Sequence, residues 1–270
     1  MTRKRVLAFA CWLLCCCLLV VGCSQKTPNS VSNPSPTTQT TSLTISAAAS
    51  LKDSLEALKP IYAKEKPNIK LVYNFGSSGA LQQQIEQGAK VDLFISAATK
   101  QMDALEKKGL LVDGTRKKLL SNQMVLITPQ NSTAISDIKD LTSPRIKRIA
   151  LGEPKSVPAG QYAQQVLTSL KIADKIKNKV VYAKDVRQAL NFVESGNADA
   201  GLVYLSDAKI TPKVKIVTIV EESTHSPIVY PIAVLKSSKN VDAAKEFEQF
   251  LFGGDAKTVF EKQGFTLAGK

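Results

Sequence analysis

The sequence predicts an α/β fold in which a mostly parallel sheet carries helices on both faces. From residue 43 onward, short apolar or β-branched runs alternate with longer segments of helical period, which is typical of parallel strands joined by helices. The chain has 270 residues, of which 44% are apolar. This length and composition allow a substantial core in roughly one to three domains.

The N-terminal segment has the features of a secretory signal. A basic stretch at residues 3–5 precedes an apolar run at 6–21, and the small residue Gly22 closes it. Residues 1–22 are therefore predicted to be a signal peptide.

The end of this segment, Val20-Val21-Gly22-Cys23, resembles the bacterial lipobox. That resemblance implies a diacylated Cys23 as the first mature residue, and an extracytoplasmic protein anchored to the cell membrane by this lipid. A plain signal peptide or an anchoring helix is the alternative. All five cysteines lie in or at the end of the segment, so the mature domain has no disulfide: Cys11, Cys15, Cys16, Cys17 and Cys23.

The next segment, residues 24–42, is rich in Ser, Thr, Pro and Asn, and Val31 is its only large apolar residue. Such a composition cannot bury enough surface to fold. Residues 23–42 are therefore predicted to be a lipid-anchored, disordered tether.

The formal net charge is +13, which raises the question of a nucleic-acid partner. The lysines are scattered along the chain and no aromatic residues interleave them, so we expect no nucleic-acid binding. A solvated surface, or attraction to anionic lipid, explains the charge.

The folded part contains eight predicted strands and several predicted helices. The strands are 43–45, 69–73, 93–95, 124–127, 149–151, 180–182, 201–204 and 228–235. The helices have apolar residues at helical spacing, within 51–62, 81–85, 162–170, 190–193, 241–252 and 255–263. Pro60 lies inside the first helix, where it costs about 3 kcal/mol, so we expect a kink or a shortened helix there.

Four of these helices begin after a predicted strand, at junctions rich in small or hydroxyl residues: 47–50, 76–79, 157–160 and 184–187. A helix N-terminus has unpaired N–H groups and about half a positive charge, which makes it an anion site. In open α/β sheets the carboxyl ends of the strands face the ligand crevice. The four junctions therefore predict a small-anion site, with ordinary helix capping as the alternative.

Six motifs in this order resemble the molybdate-binding proteins of bacterial molybdate ABC importers, over residues 43 to about 265. They are Ala47-Ala48-Ala49-Ser50-Leu51, Gly76-Ser77-Ser78 with Leu81 and Gln84-Ile85, Ala89 to Ala97, Gly152-Glu153-Pro154 with Val157-Pro158-Ala159-Gly160, Asp185-Val186-Arg187, and Leu202-Val203-Tyr204-Leu205-Ser206-Asp207.

This resemblance implies a two-domain periplasmic-binding-protein fold of type II: two sheets flanked by helices, a ligand cleft between the domains and a two-strand hinge. Domain one would comprise residues 43–122 plus 231–270, and domain two residues 123–230. The chain would cross near 122–125 and near 227–231, and closure about these crossings would bury the ligand.

The resemblance also implies five molybdate-binding residues: Ser50, Ser78, Ala159, Val186 and Tyr204. The two serines would donate from hydroxyl and backbone, Ala159 and Val186 from the backbone alone, and Tyr204 from its phenol. Gly79 departs from the family pattern, which often has another hydroxyl residue at this position.

A site made only of neutral donors suits an anion that is fully deprotonated at neutral pH, whereas phosphate retains a proton that needs an acceptor. Asp53 and Asp207 lie near the motifs and could accept such a proton, but we interpret both as framework residues. Arg187 is expected to pair with Asp185 or to face solvent.

The resemblance therefore implies a monomeric substrate-binding lipoprotein that captures molybdate or tungstate and delivers it to an ABC permease and its ATPase, without a cofactor. The alternative is a carrier of another tetrahedral oxyanion, such as sulfate or phosphate. An enzyme is disfavoured, because the single histidine, His225, lies in a polar loop and no nucleophile–base pair or zinc spacing is present. We expect a solvated imidazole there.

Overall fold

The computed structural model describes residues 40–267, and all of these belong to one compact unit. The predicted signal peptide (1–22), Cys23 and the tether up to residue 39 lie outside the described residues. Across residues 40–267, the helices are all too short or too polar to cross a membrane.

The described residues form strands and helices in alternation. The strands are β1 (Thr41–Ala48), β2 (Ile69–Gly76), β3 (Leu93–Ile95), β4 (Lys117–Ser121), β5 (Met124–Pro129), β6 (Ile149–Gly152), β7 (Val180–Ala183), β8 (Ala200–Tyr204), β9 (Val214–Ile219), β10 (Val229–Val234) and β11 (Thr266–Leu267). The helices are α1 (Lys52–Glu65), α2 (Ser78–Glu86), α3 (Thr99–Lys107), α4 (Pro158–Ser169), α5 (Ala173–Ile176), α6 (Val186–Glu194), α7 (Leu205–Ala208), α8 (Val241–Leu251) and α9 (Gly254–Lys262). A 3₁₀ turn, Ala49–Leu51, joins β1 to α1.

The strands make two sheets, which confirms the predicted α/β class with two sheets flanked by helices. The first sheet has the order β11-β4-β10-β3-β1-β2 and the second has the order β7-β6-β8-β5-β9. The sheets are mixed rather than mostly parallel, because β5 and β10 run antiparallel to both of their neighbours. Each of these two strands is the first strand after the chain enters the other sheet.

The chain passes between the sheets twice, at residues 122–123 after β4 and at 220–228 after β9. The Asn122 N–H donates to the Ile228 carbonyl across 3.2 Å, so the two crossings lie side by side. The predicted domain boundaries stay a prediction, and one detail differs from them. Val229 and Tyr230, assigned to domain two, pair with β4 in the first sheet, because β10 begins as soon as the chain reaches that sheet.

One local expectation is corrected, and one of the two alternatives expected at Pro60 is excluded. Strand β1 begins at Thr41, inside the predicted tether, because the Thr41 N–H donates to the Asn68 carbonyl (2.8 Å) and continues the ladder with β2. Helix α1 is not shortened at Pro60 but runs on to Glu65. Pro60 and Glu56, whose carbonyl loses its helical partner to the proline, are both exposed, so water can satisfy that carbonyl.

The C-terminal helices complete the core of the first sheet. Phe247 of α8 and Phe260 of α9 are fully buried, as their predicted apolar stripe requires. The ring of Phe247 packs edge-on against Tyr62 of α1, with 4.9 Å between the ring centroids. This packing fixes α1, and therefore the turn before it, against the sheet.

Candidate anion-binding site

All five residues predicted to bind the anion line one cavity, together with small neighbours such as Ala48 and Gly76. The five are Ser50, Ser78, Ala159, Val186 and Tyr204. They follow β1, β2, β6 and β7 or end β8, so both sheets contribute. The cavity has about 200 Å³ of empty space, part of which is open to solvent. A small ligand fits it best.

Ser50 lies in the 3₁₀ turn between β1 and α1 and is 2% exposed. Its Oγ is 2.9 Å from the hydroxyl oxygen of Tyr230, which also accepts from the Asn122 side-chain amide at 3.2 Å. This chain of contacts runs from the cavity to the first crossing between the sheets. Sequence analysis missed Tyr230, because a tyrosine in an apolar strand gives no signal for such a contact.

Ser78 begins α2 and is fully buried. Its Oγ accepts a hydrogen bond from the Ala97 backbone N–H at 2.9 Å. Since that bond uses an oxygen lone pair, the hydroxyl proton remains available for a second partner. Ser78 can therefore act as a donor to a ligand while its oxygen is held in place.

Ala159 and Val186 place helix N-termini at the cavity. Ala159 follows Pro158, which opens α4 where its missing N–H does no harm. Val186 is the first residue of α6, whose cap is the Asp185 carboxylate accepting from the Gln188 N–H at 2.9 Å. First-turn N–H groups have no partner inside the helix, so both backbones can donate to an anion.

Tyr204 ends β8 and is 1% exposed. Its hydroxyl is buried and makes no hydrogen bond among the described residues. Burial raises the pKa of this phenol well above its ordinary value, and the neighbouring phenols and the Asp207 carboxylate act in the same direction. The group is therefore a neutral donor at every physiological pH, and a buried donor of this kind needs a partner.

The charged groups near the cavity pair with one another. The lining residues described by the structure include no Lys, Arg or His. Arg187 does not pair with Asp185 as expected: its Nη2 is 2.6 Å from Asp53 Oδ2 and its Nε is 2.7 Å from Asp207 Oδ1. The expectation was wrong because Asp185 is occupied in capping α6.

Asp53 and Asp207, the two candidate proton acceptors, are absent from the cavity lining described here. Both carboxylates are engaged by Arg187. The cavity thus offers a ligand N–H and O–H donors, with Asp185 as its one charged lining residue in the described part of the chain.

Gly79 allows a close approach between segments that follow the two sheets. Its N–H donates to the Ser156 carbonyl at 2.9 Å. A Cβ at this position would lie 2.5 Å from that carbonyl oxygen and 2.8 Å from the Ser156 Cα. The close approach of the Ser156 backbone therefore leaves room only for glycine at position 79, where the family pattern often has a hydroxyl residue.

His225 lies outside the cavity and is half-buried rather than fully solvated. Its Nδ1 is 2.8 Å from the Ser226 carbonyl, and its ring packs edge-on against Tyr162 with 5.9 Å between centroids. The expectation of a solvated imidazole overlooked this aromatic contact, which joins residues 63 positions apart in sequence.

The buried carboxylate of Asp207 makes folding stability depend on pH. Burial raises its pKa from 3.8 to about 6, against the opposing effect of Arg187. The folded protein therefore binds this proton more tightly than the unfolded chain, and the stabilisation present below pH 4 is lost as the pH rises through 6. We expect a loss of about 3 kcal/mol from this group.

Urea unfolding of the wild type and of Asp207→Asn at several pH values between 4 and 7 measures this effect. The free energy of unfolding of the variant, taken relative to the wild type, should increase across that range. Parallel pH profiles would contradict the raised pKa.

Two mixed sheets with a donor-lined cavity between them define a binding protein of the two-domain periplasmic type. The family described as bacterial extracellular solute-binding protein matches residues 43–266. The chain belongs to this family, a group of non-catalytic transport components.

Individual relatives are similar over more than four fifths of the chain. The Bacillus subtilis protein YvgL, whose name describes it as an ABC transporter substrate-binding lipoprotein, is 46% identical over 92% of this chain and 94% of its own. The molybdate-binding protein ModA of Haemophilus influenzae is 39% identical over 83% of this chain and 89% of its own. The solved periplasmic molybdate-binding protein of Azotobacter vinelandii is 28% identical, covers 84% of this chain and all of its own, and superposes with a TM-score of 0.78.

Proposed function

We propose that this protein captures molybdate, and tungstate with it, outside the cytoplasm and delivers it to an ABC importer. The observation that carries the proposal is the set of donors around one small cavity: five residues from separate segments present N–H or O–H groups, with the Tyr204 hydroxyl buried and without a protein partner. The molybdate-binding relatives support the choice of ligand.

Charge accounts for discrimination against phosphate. Molybdate is a dianion without a proton at neutral pH, so it needs donors only. Phosphate retains a proton under these conditions and needs an acceptor facing it. Asp185, the one charged residue in the described lining of the cavity, is occupied in capping α6, where it accepts from the Gln188 N–H. Asp53 and Asp207 lie outside the lining and are held by Arg187, so phosphate is disfavoured.

The partners follow from the same proposal. A permease and its ATPase in the membrane would receive the anion, and a lipid on Cys23 would hold the monomeric protein near them. YvgL is named as a lipoprotein, which supports the anchor. Neither a cofactor nor a catalytic step is part of this function, since binding and release of the oxyanion are sufficient.

Calorimetric and thermal titrations of the purified protein test the ligand. At free molybdate about 100-fold above Kd, ligand linkage adds about 2.7 kcal/mol to the free energy of unfolding. We expect Tm to rise by about 5–11 °C with molybdate or tungstate, and to change little with sulfate or phosphate at equal concentration. A flat response to molybdate together with a shift on sulfate or phosphate would assign the site to that other oxyanion.

A further inference from the structure

Arg187 connects residues that follow different sheets. On one side, its Nη2 is 2.6 Å from Asp53 Oδ2 and donates to the Ser50 carbonyl at 3.1 Å; both residues follow β1 of the first sheet. On the other side, its Nε is 2.7 Å from Asp207 Oδ1, which follows β8 of the second sheet, as Arg187 itself follows β7. The guanidinium therefore spans the two halves of the molecule next to the cavity.

We propose that Arg187 is a clasp that fastens the two halves around the bound oxyanion and positions Ser50 and Val186 as donors. The inference rests on the function proposed above and adds to it a positioning residue that does not touch the ligand. Arg187 is absent from the lining of the cavity, although its chain neighbour Val186 belongs to it.

The burial of the two carboxylates makes the clasp asymmetric. Asp207 is fully buried, whereas the side chain of Asp53 is 40% exposed. A buried carboxylate left without its cation is strongly unfavourable, so the Arg187–Asp207 pair holds within its own half whether the halves are apart or together. The half-exposed Asp53 can be solvated when the halves separate, so the Arg187–Asp53 contact can form on closure and break on release.

The shape of the arginine side chain suits this role. The guanidinium is planar and offers donors on several edges, so it can engage two carboxylates and a carbonyl at once. Lysine would retain the positive charge but not the planar group with donors on several edges. Because Arg187 also donates a hydrogen bond to the Ser50 carbonyl, the clasp also fixes the backbone that carries the Ser50 donor groups.

A purely electrostatic role for these residues predicts the opposite result at Asp53. Removing a negative charge close to an anion site lowers repulsion, so Asp53→Asn would tighten molybdate binding if only net charge mattered. The clasp predicts weaker binding, because the variant loses a contact between the halves. Arg187→Lys separates the electrostatic role from the clasp in the same way, since it preserves the charge and removes the planar set of donors.

The test measures molybdate affinity by calorimetry and the dissociation rate by stopped-flow tyrosine fluorescence. We expect Asp53→Asn and Arg187→Lys each to weaken binding by about 3- to 10-fold, mainly through faster dissociation. The double variant should bind molybdate about as weakly as the single variant with the lower affinity, because both substitutions remove the same Arg187–Asp53 contact. Thermal unfolding without ligand verifies that each variant folds.

Glu56→Gln is the matched control. Glu56 is also a carboxylate of α1, but its contact is with half-exposed Lys59 of the same helix, at 3.9 Å. We expect its molybdate affinity to equal that of the wild type or to exceed it slightly.

Unchanged or tighter binding by Asp53→Asn, or fully additive effects in the double variant, would overturn the clasp. If the wild type binds sulfate or phosphate instead of molybdate, the proposed ligand is wrong, and the same variants titrated with that anion decide about the clasp. If the wild type binds none of these oxyanions, both proposals fail.

Discussion

Replacing Gly79 by alanine is expected to weaken molybdate binding by about 5- to 150-fold, from an overpacking penalty of about 1–3 kcal/mol. The new Cβ would lie 2.5 Å from the Ser156 carbonyl oxygen and 3.0 Å from the carbonyl carbon. These are backbone atoms, so no side chain can swing aside to make room. The segments on the two sides of the cavity would have to stay farther apart, and the donors would no longer reach one anion together.

The ligand-free protein should tolerate the same change. Gly79 lies in the first turn of α2 without a positive φ, and alanine is favoured over glycine in helices by about 1 kcal/mol. We therefore expect an unchanged or slightly higher Tm without ligand, and a smaller Tm increase with molybdate. Calorimetric Kd values and thermal unfolding with and without molybdate measure both effects.

Gly254→Ala serves as the control for Gly79→Ala. Gly254 opens α9, and a Cβ there meets no atom within 4 Å. This variant should bind molybdate like the wild type. Equal affinities of Gly79→Ala and Gly254→Ala would show that the approach to Ser156 has no part in binding.

Local signals explain why much of the fold and the cavity could be predicted. Ser77 and Asp185 cap α2 and α6 by accepting from N–H groups three residues on, a short-range pattern that the sequence displays directly. The carboxyl ends of parallel strands then bring such junctions to one edge of a sheet. The five residues predicted to bind the anion came from the family resemblance, and the structure brings them to one cavity.

Long-range contacts explain what the sequence did not predict. Arg187 meets the Ser50 carbonyl across 137 residues, and Ser50 meets Tyr230 across 180. No spacing rule connects positions so far apart, so Asp185, the nearest carboxylate in sequence, was the expected partner of Arg187. The close approach of Gly79 to Ser156 was missed for the same reason.

Three strands were missed: β4, β9 and the two-residue β11. The first two were missed for different reasons. Five of the six residues of β9 are β-branched, so closer attention to strand propensity could have found it. Strand β4 has only two buried leucines, Leu119 and Leu120, between polar residues. Its extended conformation depends on pairing with β10 and β11.

Tyr204→Phe should separate ligand binding from folding more cleanly than any other change in the cavity. The variant removes a hydroxyl that is buried and has no partner among the described residues. We expect molybdate binding to weaken by about 5- to 150-fold, since a lost donor to a buried charged group costs about 1–3 kcal/mol. Calorimetric titration measures this loss.

The stability of the ligand-free variant should move in the other direction. Burying a hydroxyl without a hydrogen bond is unfavourable, so its removal should leave the free energy of unfolding unchanged or raise it by about 1 kcal/mol. Tyr62→Phe is the matched control, because the Tyr62 hydroxyl is also buried without a partner among the described residues and Tyr62 lies outside the cavity lining. That variant should share the stability effect and bind molybdate normally.

Tyr230→Phe completes the series of tyrosine variants. The Tyr230 hydroxyl contacts Ser50 Oγ and accepts from the Asn122 amide, so its loss leaves two polar groups short of a partner and should lower the free energy of unfolding by about 1–3 kcal/mol. The three variants remove the same atom and differ only in what that atom contacts. If Tyr204→Phe bound molybdate as tightly as Tyr62→Phe, the phenol of Tyr204 would not be a ligand donor, and the anion would have to be held by the backbone and serine donors alone.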